Sequence, residues 1–208
     1  MTATKPLTRI QQKNRAAILD AALDVFSAHG YRGATVDQIA LQAGLSKPNL
    51  LYYFPSKDAI HVALLTGLLS TWLAPLEQLD PDGEPVEEIL KYVDLKLTMA
   101  ETYPRESRLF ANEIVQGAPR IHDNLTGPLR RLVDEKCAVI AGWSARGLIA
   151  PIDPHHLIFS IWATTQHYAD FDVQVRAVLG DAAENRFAIA REHLRMLFSR
   201  LLTPGAAG

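Results

Sequence analysis

The stretch from Thr35 to Lys57, TVDQIALQAGLSKPNLLYYFPSK, leaves this chain few choices of fold. Thr35 stands where an N-cap belongs, with Asp37 behind it to complement the positive end of a helix. Val36, Ile39 and Ala40 then form one apolar face at spacings of three and four. Gly44 suits the left-handed conformation that ends a helix. Ser46 is a second N-cap, and Leu50, Leu51 and Phe54 supply the buried side of a second short helix. Its other side carries Lys47, Asn49 and Tyr52. Two short helices joined by a glycine turn, the second opening with a cation, an amide and phenols, form a helix-turn-helix equipped for phosphate and base-edge contacts.

Charge placement agrees with a nucleic-acid-facing module. The whole chain of 208 residues is net -2, which by itself points to no polyanionic partner. Its first sixty residues nevertheless hold seven Lys or Arg against four Asp. A basic head on an acidic body is the distribution expected when a DNA-binding module is carried by a larger domain. The single Cys137 excludes an internal disulfide and fits a reducing, cytoplasmic setting. No N-terminal run resembles a signal peptide, and no stretch approaches ~20 uninterrupted apolar residues, so no membrane association is expected.

Taken in order, the chain reads as all-α, with about nine helices. Residues 1–8 are an expected mobile arm. A helix from about Arg9 to His29 carries Ile18, Ala22, Val25 and Phe26 on one stripe and is closed by Gly30. With the two short helices it makes a three-helix unit whose expected core is Ile18, Leu19, Ala22, Phe26, Val36, Ile39, Ala40, Leu45, Leu50 and Phe54. Ser56 caps a connecting helix to about Leu73, which Ala74-Pro75 kinks or ends. Helices follow at about Val86–Glu101, with Ile89, Val93, Leu97 and Lys96 inward, and at Arg105–Val115, Asn124–Gly147, Pro154–Asp170 and Ala182–Leu202. The segment 171–180 is left unassigned, and a disordered tail closes the chain. The expected division is an arm and helix-turn-helix domain at 1–55 and a helical effector-binding and dimerisation domain at 56–204.

Phe26, Gly30, Thr35, Ile39-Ala40, Ala43-Gly44, Ser46, Leu50, Tyr53-Phe54 and Ser56-Lys57 resemble, in register and without an insertion, the DNA-binding domain of TetR-family regulators. Pro48 departs from a position where that family often has glycine. A first-turn proline is tolerated because its missing N–H would have had no partner. The resemblance implies DNA contacts from Thr35, Ser46, Lys47, Pro48, Asn49, Tyr52, Tyr53 and Lys57. It also implies a homodimer on palindromic operator DNA, built through about 154–170 and 184–202. On the last helix Phe187, Ala190, Leu194, Leu197, Phe198 and Leu201 form an apolar stripe that would face its own core in most proteins; the family's four-helix interface assigns it to dimerisation.

The body suggests a ligand. Trp162 and Gln166 share one side of a helix, pairing a flat aromatic with a primary amide that can answer adjacent N–H and C=O groups of a heterocycle. Trp72 is a second candidate wall. Beyond the head, the runs Trp72 to Leu76, Ser107 to Phe110, Ile140 to Trp143, Ile149 to Pro154, His156 to Phe159 and Trp162 to Phe171 resemble the pyrimidine-utilisation branch of the same family. That likeness implies a small pyrimidine effector, uracil or thymine, with Trp72, Phe110, Trp162 and Gln166 in its pocket.

Other readings carry less. His155, His156 and His167 with Asp153 and Asp170 lack the spacing of a metal site, and neither a metal nor another cofactor is expected. Ser107, His122 and Asp123 lack a nucleophile elbow, so no enzyme activity is expected. The competing function is a small-molecule binding protein or enzyme of pyrimidine metabolism whose helix-turn-helix is vestigial.

Overall fold

A computed structural model describes residues 8–204. The N-terminal arm from 1 to 7 and the tail from 205 to 208 lie outside the described residues. Thr8, assigned to that arm, is instead the cap of α1 (Arg9–Gly33), sharing a capping box with Gln11. Next come α2 (Val36–Gln42), α3 (Lys47–Tyr53), α4 (Lys57–Glu77), α5 (Pro85–Thr102) and α6 (Pro104–Val115). A turn, α7 (His122–Asn124), runs through a π-helical stretch, Leu125–Leu129, into α8 (Arg130–Ala145). The last elements are α9 (Pro154–Asp170), α10 (Asp172–Leu179) and α11 (Arg186–Leu202), the final two joined by a 3-10 turn. Among the described residues there are nine continuous helical stretches and no strand.

Local chemistry sets these boundaries. Thr35, Ser46 and Ser56 each accept a hydrogen bond from the backbone N–H three residues on, so all three polar caps lie at the starts of α2, α3 and α4. Gly30 breaks α1 with φ 66°, and Gly44 makes the turn of the helix-turn-helix with φ 68°. Pro75 does not end α4. It is buried inside a helix that continues to Glu77, and α4, long and apolar enough to cross a membrane, spends its apolar side chains on the two protein cores. The unassigned segment 171–180 contains α10.

Two cores result. The head core gathers Ile18, Ala22, Phe26, Ile39, Ala40, Leu50 and Phe54. Leu19, Val36 and Leu45 pack at its margin, half-buried, and Leu51 is exposed rather than buried. This core also takes Leu64 and Leu65 from α4, Leu109 from α6, and Ala118 and Ile121 from the turn that follows. The body core is built on α5, α8, α9 and α11 around Trp143, Ile89, Leu97, Ile161 and Phe198. Here the apolar stripe of α11 divides. Phe187, Ala190, Leu194 and Phe198 enter the chain's own core, while Leu197 and Leu201 stay exposed beside Ile189 and Met196.

Candidate DNA-binding face and ligand cavity

The residues expected to face DNA are positioned by the caps. The hydroxyls of Thr35 and Ser46 are engaged at the N-termini of α2 and α3, leaving those helix ends directed outward as anion-seeking dipoles. Lys47 opens α3, with Pro48 in its first turn and Asn49 exposed next to it. The Lys47 ammonium lies 2.9 Å from Asp37, and both side chains are at least half exposed. Tyr52 is 72% exposed, and its hydroxyl accepts a hydrogen bond from Gln11 at 3.3 Å. Tyr53 turns inward, accepting one from Asn14 at 2.9 Å. These two bonds fasten the start of α1, with Arg9 and Lys13, beside α3. Gln11 and Asn14 were not expected at this face, because a pairing between residues about forty positions apart leaves no periodic trace.

Lys57 differs from its expected role. Its ammonium donates to the carbonyls of Tyr31 and Ala34, each at 2.8 Å, and stands 4.5 Å from the Tyr31 ring. It caps the C-terminal end of α1, beyond the break at Gly30, rather than extending toward solvent.

The cavity lies where α4, α5, α6 and α9 converge and has a volume of about 270 Å³. All four residues singled out from the sequence line it: Trp72 on α4, Phe110 on α6, and Trp162 and Gln166 on α9. Trp72 and Phe110 are nearly parallel, at 12°, with centroids 6.3 Å apart. Trp162 is held by its indole N–H, which donates to the Tyr92 hydroxyl at 2.6 Å. Burial pushes the Tyr92 phenol well above its ordinary pKa, so it stays neutral. Leu125 and Leu129, the ends of the π-helical stretch, complete an apolar wall.

One end of the cavity is polar. Lys96 is only 3% exposed, and among the described residues nothing hydrogen-bonds its ammonium. Burial pushes its pKa down to about 7, partly opposed by Asp170. Asp170 is shifted upward by its own burial, against the hydrogen bond it accepts from the Ser107 hydroxyl at 2.6 Å. Ser107 is thus committed to Asp170 rather than to His122 or Asp123. Trp162, Gln166 and Asp170 follow at intervals of four on α9, so the same spacing that exposed the first two pointed to the third. Lys96 had no comparable signal beyond its place on the inward side of α5. Among the described residues no cluster of three His, Cys, Asp or Glu is gathered to hold a metal.

Two family models divide the chain. Residues 18–64 match "Bacterial regulatory proteins, tetR family", and residues 65–205 match "YcdC-like protein, C-terminal region". The HTH-type transcriptional regulator RutR of Escherichia coli strain K12 is 54% identical over 173 residues, covering 83% of this chain and 82% of that protein. Among solved structures, the transcriptional regulator SCO4942 of Streptomyces coelicolor aligns with a TM-score of 0.75 at 24% identity, over 92% of this chain and 99% of that one. A tetR-family regulatory protein from Rhodococcus RHA1 aligns at 0.74 and 19% identity, over 93% and 98%. The capped helix-turn-helix, the all-α body and these matches agree: the chain belongs to the TetR family of DNA-binding transcriptional regulators.

Proposed function

We propose that this protein regulates pyrimidine utilisation in the cytoplasm, as a homodimer whose affinity for a palindromic operator is set by uracil or thymine in the cavity. The observation that carries the effector reading is a pair of parallel rings beside a polar end. A flat guest would stack against Trp72 and Phe110 and meet Trp162 at its side. An imide edge alternates C=O and N–H. Lys96 is a donor for a carbonyl, Asp170 an acceptor for a ring N–H, and the Gln166 amide supplies one of each. Cytosine would turn an amino group toward the Lys96 donor. A site built to pair a substrate's polar edge rejects an analogue that leaves its groups unmatched.

DNA contact is assigned to the N-terminal ends of α2 and α3 and to the exposed side of α3, with Thr35, Ser46, Lys47, Pro48, Asn49 and Tyr52; Tyr53 and Lys57 support the site from behind. Dimerisation is assigned to the outer faces of α9 and α11, where Phe159, Ile189, Met196, Leu197 and Leu201 leave apolar surface exposed.

Calorimetric titration with uracil, thymine and cytosine tests the effector. Heat with uracil or thymine, little with cytosine, and at least about tenfold weaker uracil binding in Gln166→Ala are expected. No heat with any pyrimidine overturns the effector assignment. Selection of binding sites from a random DNA pool tests the regulator assignment separately, with an inverted repeat as the expected product.

A further inference from the structure

Helix α6 touches both halves of the molecule. Ser107, Phe110, Ala111 and Ile114 line the cavity, while Leu109 is buried in the head core. Each end of the helix is also joined to the head by charge. At the start, Arg105 pairs with Asp24 of α1. At the far end stands Glu113, 3% exposed, one turn beyond Phe110.

The turn after α6 delivers an arginine to that buried carboxylate. Gly117 and Ala118 take φ of 89° and 52°, a conformation that a non-glycine residue adopts only under constraint. Ala118 and Ile121 are anchored in the head core, and the Arg120 backbone N–H donates to Glu113 at 2.9 Å. The Arg120 side chain then meets three groups. Its Nη1 lies 3.1 Å from Glu113, its Nε lies 2.9 Å from Asp58 in the first turn of α4, and its guanidinium lies 3.6 Å from the centroid of the Tyr31 ring on α1. The Tyr31 hydroxyl closes the cluster by donating to Asp58 at 3.1 Å. A planar guanidinium can serve two carboxylates and an aromatic face at once, which a lysine ammonium cannot. Glu113 cannot be left buried without a cation at tolerable cost, so the cluster holds α6, α1 and α4 together at this corner.

We propose that Arg120 is the coupling residue of this regulator: it carries a displacement of α6 at the cavity to α1 and α4 of the DNA-binding head, touching neither effector nor DNA. The ligand-dependent part rests on the pyrimidine reading. Trp72 and Phe110 stand closer than a ring in contact on both faces requires, so a guest displaces α4 and α6 relative to each other. Only a latched head follows that displacement.

The test uses the full-length protein with Arg120→Met, which keeps length and apolar cover over Tyr31, and Arg120→Lys, which keeps only the charge. The ratio of operator Kd with and without saturating uracil is expected to be about 5- to 150-fold in the parent, the usual range for allosteric coupling. It should fall to within about twofold of unity in R120M and lie between in R120K, with uracil Kd unchanged. A parent-like ratio in R120M overturns the proposal, even if its melting temperature drops, because that is the signature of a merely structural arginine. A second readout needs no ligand. Spin labels at Leu41→Cys on the head and Lys91→Cys on the body, in a Cys137→Ala background, should give a broader distance distribution in R120M; equal widths overturn the latch. Failure of the parent to bind pyrimidines would sink the effector reading and leave this second readout to decide. Asp58→Asn, at an exposed position, replaces R120M in both assays should that variant fail to fold.

Discussion

Trp72 and Phe110, brought from α4 and α6, face each other at 12° with ring centroids 6.3 Å apart. Contact on both faces of an inserted ring needs about 3.5 Å on each side, or about 7 Å in all. The cavity is therefore slightly too narrow for a sandwiched guest until α4 and α6 part. Phe110→Leu, which keeps apolar volume but removes the flat face, should weaken uracil binding by about 3- to 10-fold, the range of an aromatic pair's contribution. Calorimetry checks this, and unchanged affinity would remove Phe110 from the effector's wall.

Lys96 predicts a pH dependence. Its pKa sits near 7 because burial penalises the ammonium, whereas a ligand carbonyl favours the charged form. Uracil affinity should therefore fall as pH rises, by about tenfold between pH 6.5 and 8.5, with protons taken up on binding. Titrations in buffers of different ionisation enthalpy measure that uptake. The sign for folding is the reverse of the binding effect: the unfolded lysine holds its proton to higher pH, so this group's burden on stability is full below about 7 and lifts as pH rises toward 10.5. Lys96→Met should flatten both profiles.

The ion pair between Lys47 of α3 and Asp37 of α2 gives opposed effects across the helix-turn-helix. Lys47→Ala should weaken binding to operator and non-specific DNA alike and reduce the salt slope by about one. Asp37→Asn frees that cation and should strengthen both. Asn49→Ala should instead lower the preference for operator over random DNA. Gel shifts across a salt series separate these outcomes; equal losses on both DNAs for Asn49→Ala would deny it base readout.

On α11 neighbouring residues should behave oppositely. Leu197→Glu, at an exposed position, is expected to shift sedimentation from dimer toward monomer while leaving helical circular dichroism intact. Phe198→Ala, at a buried one, should cost about 3–5 kcal/mol of stability. A Leu197→Glu protein that remains dimeric would move the interface elsewhere.

Much of the fold could be read from short-range chemistry. Thr35, Ser46 and Ser56 cap the helices they precede, and Gly30 and Gly44 take the turns they suit, because a cap or a left-handed turn involves atoms only a few residues apart. Periodicity on α9 identified Trp162 and Gln166 for the same reason. It fell short on α11, where one apolar stripe is part buried in the chain's own core and part exposed, since a helix's pattern records that a face is apolar without recording what lies against it. Pro75 misled because a buried helix can lose one hydrogen bond and still be held by packing.

The sequence by itself determined the helices, the glycine turn, the polar equipment of α3 and the all-α class, each a consequence of local backbone and side-chain physics. Tertiary structure decided how charge is spent. It set Lys57 on the carbonyls ending α1, buried Lys96 beside Asp170, and brought Arg120 onto Tyr31, Asp58 and Glu113. Apart from Glu113, seven positions from Arg120, these partners lie 23 to 89 positions apart and meet only after the helices have packed, and burial then gives those charges energies that no local pattern encodes.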